Sequence, residues 1–302
     1  MKLTIENASK FYQQQAVVQQ LNLAAEPGTV TGVLGPNGAG KTTTLRMILN
    51  ILHPDEGRII YDGKAVTEEL RNRMGYLPEE RGIYQKYKVM DVMVYFGRLR
   101  GLGRRKSQVE AVRQMDRFSM IDYLEKPVAH LSKGMQQKLQ FIISIMHNPS
   151  LLILDEPFWG LDPIHQEFIR KKIRFLKEEG RTIILSTHQL GDAEDLCDEM
   201  VLLNDGKTIL QGALSEIKKR FRENIILVES EGDLSQLETI EGVQKVVVQN
   251  AKARLYINSK SSSRAILNRI MQAVEPTRLE FRPPSLKDIF LQVVPEKVEK
   301  ST

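Results

Sequence analysis

The stretch "VTGVLGPNGAGKTTTLRM", residues 30–47, decides the fold. Its first five residues are an apolar, β-branched run that predicts a strand, and a helical stretch begins at Lys41. Between them, "GPNGAGKT" meets the spacing G-x-x-x-x-G-K-[ST]. Gly35, Gly38 and Gly40 permit a tight loop whose backbone N–H groups converge on phosphate oxygens. Lys41 then reaches the β- and γ-phosphates, and the Thr42 hydroxyl can ligate Mg²⁺. Pro36, Asn37, Ala39 and Thr43 complete the expected nucleotide-contacting set. The competing reading is a glycine-rich turn that ends in Lys-Thr by coincidence. The strand before it and the helix after it argue against that.

Two further strands end in chemistry. "LLILDEP", 151–157, is a buried apolar run closed by two carboxylates. At the C-terminal edge of a parallel sheet Asp155 can hold the magnesium ion, and Glu156 can orient and deprotonate a water in line with the γ-phosphate. An acidic strand-to-loop turn would be the plain alternative if this strand stood alone. "TIILSTH", 182–188, brings His188 to the same edge. A lone histidine at a strand end is more often structural, but here a γ-phosphate needs a donor.

The region up to about residue 215 alternates apolar runs with amphipathic helical stretches, which predicts a mostly parallel α/β sheet. Strands are expected at 30–34, 151–155, 182–186 and 199–203, and an antiparallel N-terminal patch at 2–7, 17–25 and 58–61. Helices are expected at about 41–52, 91–100, 107–119, 133–147, 164–178 and 190–196. A charged helix, "ALSEIKKRFRE", marks a break. Beyond it the order β-α-β-β-α-β, with a last helix after it, is the ferredoxin-like plan. The expected domains are therefore 1–218 and 219–302.

Composition bounds the rest. The chain has 302 residues, 41% hydrophobic and 27% charged, as an ordinary globular protein does. One cysteine, Cys197, excludes an internal disulfide and fits a reducing compartment. The longest apolar run, "LQFIISIM", is far short of a membrane span, and the first residues lack a signal-peptide core, so the expectation is a protein that neither crosses a membrane nor is exported. A net charge of +5 permits anionic partners without arguing for one. The run "RLRGLGRRK", 98–106, has five basic residues and no acid; it is either a solvated loop or a surface facing membrane phosphates or a permease loop.

Ser132 opens "LSKGMQQK" and reads as an N-cap, although Met135 stands where a capping box wants Glu or Gln. With that stretch lying between the phosphate loop and the carboxylate strand, residues 2–218 resemble the nucleotide-binding subunit of an ABC transporter. "LSKGM" occupies the place of the LSGGQ signature, with Lys133 and Met135 departing from it. The resemblance implies that Ser132 and Gly134 contact the γ-phosphate of ATP held by an opposite subunit. It implies that Tyr12 stacks on adenine, where the plain reading is a half-buried strand aromatic. Glu79 stands at the Q-loop glutamine and is counted with the Mg²⁺ set, and Asp162 of "WGLD" stands at the D-loop acid, with Trp159 where a small residue is usual.

The same resemblance implies an ATPase using ATP and Mg²⁺, peripheral at the cytoplasmic face of the membrane. It would power a separate transmembrane permease as a head-to-tail homodimer or paralogous heterodimer, without nucleic acid. The C-terminal domain and "GYLPEERGIY" resemble subunits of the bacterial sodium- and drug-exporter type. A soluble relative acting on ribosomes or nucleic acid would carry paired domains, long coiled coils or zinc cysteines. A non-catalytic subunit would lack Glu156 or Lys41.

Overall fold

The computed structural model describes residues 1–79, 82–221, 225–257, 263–281 and 284–294. The chain divides into two compact units, Met1–Gln211 and Gly212–Thr302.

In the first unit, β1 (Leu3–Tyr12) and β2 (Gln15–Ala25) form a hairpin, and β3 (Val30–Leu34) and α1 (Lys41–Ile48) come after it. Strands β4 (Glu56–Tyr61) and β5 (Lys64–Ala65), α2 (Glu68–Asn72) and β6 (Met74–Leu77) come next. The helical segment holds α3 (Val89–Leu99), α4 (Arg104–Arg117) and α5 (Lys133–Ile145). The unit closes with β7 (Leu151–Asp155), α6 (Pro163–Glu178), β8 (Thr182–Thr187), α7 (Leu190–Leu196), β9 (Glu199–Asn204) and β10 (Lys207–Ala213).

Two sheets result. One is antiparallel in the order β2-β1-β4-β5; the other has the order β10-β9-β3-β8-β7-β6. In the second, β9, β3, β8, β7 and β6 pair in parallel. Strands β3, β7 and β8 are buried along their whole length, which explains why they read as unbroken apolar runs. Alternate residues of β1 turn inward to a core shared with Leu45 and Ile48 of α1 and with Val33, Ile153 and Ile184 of the parallel sheet. Because β3, β8 and β7 are parallel neighbours, their C-terminal ends meet at one edge.

Several boundaries differ from the sequence expectation. Helix α1 stops at Ile48 rather than 52, and Asn50 takes the left-handed φ of 55° that ends helices. Helix α4 starts at Arg104 rather than 107, so the basic run is the end of one helix, a glycine turn and the start of the next. Strands β5, β6 and β10 and helix α2 have no counterpart among the expected elements.

The second unit takes in the end of β10 from Gly212 and continues with α8 (Leu214–Arg220), then β11 (Ile225–Glu229), β12 (Val243–Gln249), β13 (Lys252–Ile257), α9 (Ser263–Ala273), β14 (Arg278–Phe281) and α10 (Leu286–Val293). Its sheet has the order β12-β13-β11-β14, all antiparallel, with Ile226, Leu255, Ile266 and Ile270 in a core of its own. The first helix of that plan, read from "LSQLETI" at 234–240, is a 3₁₀ segment, Leu234–Thr239; the strands read from "ARLYINS" at 253–259 and "TRLEFR" at 277–282 have their ends, 258, 259 and 282, outside the described residues.

Candidate active site

The phosphate loop leaves β3 and enters α1, as its residue types require. Gly35 has φ 147°, and a Cβ there would stand 2.3 Å from the Leu203 carbonyl oxygen. Gly40 caps α1 at φ 102°, where a Cβ would stand 2.6 Å from the carbonyl oxygen of Val17. No side chain can be accommodated at either place. Lys41 is buried, and its Nζ donates to the carbonyls of Gly35 at 2.9 Å and Pro36 at 3.2 Å.

The carboxylates arrive from the next-but-one strand. Glu156 is buried and comes directly after β7 with φ 47°, a region costly for a residue with a Cβ and one that clusters at functional sites. Its Oε1 accepts from the backbone N–H of His188 at 2.9 Å, lies 2.8 Å from His188 Nδ1 and stands 3.7 Å from Lys41 Nζ. Its own N–H donates to the carbonyl and hydroxyl oxygens of Ser186, at 3.1 and 3.3 Å. The Ser186 hydroxyl in turn donates to Asp155 Oδ1. The loop of β3, the carboxylates of β7 and the histidine of β8 therefore form one connected cluster.

Burial raises the pKa of Asp155, and the nearby Glu79 and Glu156 push it further; Ser186 and Lys41 oppose them. Its Oδ2 is buried without a hydrogen-bond partner. A carboxylate oxygen left unpaired among other carboxylates fits a divalent cation, which would supply the missing charge. Among the described residues no three of His, Cys, Asp and Glu gather to cage a metal.

The ABC transporter family profile matches residues 18–159, and that of the DrrA1-3-like ATP-binding protein C-terminal domain matches 212–294. An uncharacterized ABC transporter ATP-binding protein of Bacillus subtilis strain 168, YhaQ, is 40% identical over 97% of this chain and 98% of its own. The daunorubicin resistance ATP-binding protein DrrA3 of Streptomyces coeruleorubidus is 32% identical over 96% of this chain and 95% of its own. A solved ATP binding subunit of an ABC transporter has a TM-score of 0.67 at 30% identity, covering 73% of this chain and 93% of that one. The chain belongs to the ATP-binding proteins of ABC transporters.

In this ABC ATPase Ser132, Gly134 and Asp162 make their recorded contacts outside that cluster. Ser132 caps α5, its hydroxyl accepting the Met135 N–H at 3.3 Å. Gly134 lies beside the His165 ring, where a Cβ would come within 3.3 Å. Asp162 caps α6, accepting from the His165 N–H at 3.0 Å, with His165 Nδ1 at 2.5 Å. No hydrogen bond among the described residues joins Ser132, Gly134 or Asp162 to residues 35–42 of the same chain. Tyr12 ends β1 exposed, with Lys10 Nζ 6.0 Å from the centroid of its ring. Glu79 is exposed.

Two participants escape sequence reading. Ser186 ties both carboxylates to β8. Gln137, buried on α5, donates to the Pro157 carbonyl at 3.3 Å and so links the helix that begins at Ser132 to the loop after Glu156.

Proposed function

We propose that this subunit drives a separate transmembrane permease of the exporting kind, by ATP-dependent closure of a head-to-tail pair at the cytoplasmic face of the membrane. The names of the relatives, daunorubicin resistance and Nod factor export, support the direction. No helix of the described residues is long and apolar enough to cross a membrane, and the pore is assigned to another chain.

The observation that carries the mechanism is the buried Glu156 held by His188 and Lys41. Residues Gly35 to Thr43 hold the phosphates of ATP, Lys41 supplies charge, and Tyr12 stacks on the base. Thr42, Asp155 and Glu79 would hold Mg²⁺, which neutralises phosphate charge when bound. Glu156 takes the proton of the attacking water, and His188 fixes that carboxylate and stands at the γ-phosphate. Ser132 and Gly134 close the site of the other subunit through the free N–H groups at the start of α5, with Asp162 beside them. One chain carries both half-sites, so a homodimer suffices; a paralogous partner serves equally.

The test is Glu156→Gln. It keeps size and hydrogen bonds but removes the base, so ATP turnover should fall about 10²–10⁴-fold. An ATP-stabilised dimer should accumulate on size exclusion. Wild-type turnover in this variant would end the assignment. Purification from native membrane should bring an integral membrane protein along.

A further inference from the structure

A cavity of about 340 Å³ opens between α4, the end of α5 and the second half of α6. Five cations line it, Lys106, Arg113, Arg117, Lys172 and Arg181, against two carboxylates, Glu110 and Glu179, for a net charge of +3. Both carboxylates are already engaged, Glu110 by Arg113 at 3.3 Å and Glu179 by Arg181 at 3.0 Å. Among the described residues no carboxylate pairs with Lys106, Arg117 or Lys172.

Like charges in excess repel, and here Lys172 and Arg181 are held in place by specific contacts. Lys172 Nζ sits 5.1 Å over the Phe118 ring and 5.4 Å over Phe168. Arg181 donates to the Pro149 carbonyl at 2.8 Å and to Asn148 Oδ1 at 2.6 Å, while its Nε is buried without a partner. The other walls are apolar: Phe118, Ile145, Met146 and Leu176 are buried, and Phe175 is half exposed. The size is that of a small-ligand site. Cations in excess beside apolar walls, two of them held in place, suit an anion with an apolar body, and arginine and lysine together suit phosphate. Lys106 is the last residue of the basic run 98–106, so one end of that run belongs to this cavity.

We propose that the cavity binds a phosphate group carried on an apolar moiety, away from the ATP site. Two sources share that chemistry, an anionic phospholipid headgroup and a soluble phosphorylated compound. The full-length protein, with ADP filling the phosphate loop, is titrated with 1-naphthyl phosphate and, separately, floated with phosphatidylcholine vesicles with and without phosphatidic acid. Arg117→Glu/Lys172→Glu should weaken binding by about tenfold or more, because two charge-assisted contacts are reversed. The same charge change elsewhere, Lys64→Glu/Lys207→Glu, should leave it unaltered. Loss confined to vesicles assigns the headgroup, and loss confined to naphthyl phosphate assigns the soluble compound. Equal loss in both variant pairs, or loss in neither, overturns the proposal. Circular dichroism checks folding; if the reversal unfolds the chain, Arg117→Gln/Lys172→Gln takes its place and is read the same way.

Discussion

Ser186 shows how much one hydroxyl can carry. It donates to Asp155 Oδ1 and accepts from the N–H of Glu156, which has to hold a backbone conformation unfavourable to its type. Ser186→Ala would leave both Asp155 oxygens unpaired in a buried place, at a cost of about 1–3 kcal/mol. Urea denaturation should show this as a lower midpoint with unchanged slope. His147 gives a second residue-level test. Its Nε2 lies 3.1 Å from the Met74 carbonyl, and burial holds its pKa down to about 4, from an ordinary value near 6.5. The unfolded chain therefore takes up a proton that the folded chain refuses. Stability from this site is full above pH 6.5 and is lost as pH falls towards 4, at up to about 1.4 kcal/mol per pH unit. His147→Gln should flatten that part of the stability–pH curve in chemical denaturation. Lys41, Asp155 and Glu156 were legible because their chemistry lies in runs of consecutive residues. Ser186 was not: its role depends on the register that sets Asp155 opposite Ser186 across β7 and β8, which no local pattern encodes.

At the scale of elements, the same difference separates β3 from β6. Strand β3 declares itself by four apolar or β-branched side chains in five positions ahead of a glycine loop. Strand β6 is only "MGYL", and its glycine reads as loop. The structure gives the reason: a Cβ at Gly75 would lie 2.2 Å from the Ser144 carbonyl, so the glycine lets α5 approach the sheet. Helix α5 is legible by its cap, Ser132, but a cap hides any second duty of its side chain. Glycine at an N-cap costs only a few tenths of a kcal/mol, whereas alanine costs about 1. Ser132→Gly should therefore keep the melting temperature nearly unchanged. Under the proposed mechanism it should still lower ATP turnover, because the hydroxyl is missing from the partner's site. Turnover that tracks stability alone through Ser132→Gly and Ser132→Ala would leave Ser132 as a cap.

For the whole molecule, the two units have separate apolar cores and part at 211/212, ahead of the charged helix, where the sequence reading set the boundary at 218/219. Calorimetry of Glu156→Gln should resolve two transitions, of which ATP raises one, by about 2.7 kcal/mol at a hundredfold excess over Kd. A single transition that moves as a whole would mean a shared core. Trp159, the chain's one tryptophan, is 53% exposed three residues before Asp162. If closure buries it against a partner, ATP should shift its emission only at protein concentrations where dimer forms. A shift independent of concentration would place the ring within its own subunit.

The phosphate loop is clasped from outside. Leu203 and Val17 crowd its glycines, and the Gly206 N–H donates to the Ala39 carbonyl at 3.3 Å. A loop so tightly packed needs little reshaping to hold nucleotide, and a part that does not change shape transmits no news. Under the proposed mechanism, whatever informs the permease that ATP is present begins elsewhere, in residues whose surroundings differ between open and closed pairs. Hydrogen exchange would separate the two: protection at 35–42 should be alike with ADP and with ATP in Glu156→Gln. The difference between the two nucleotides should gather at 131–136 and 157–165. The nucleotide pocket would then be the lock, and the message would be written at the caps of α5 and α6.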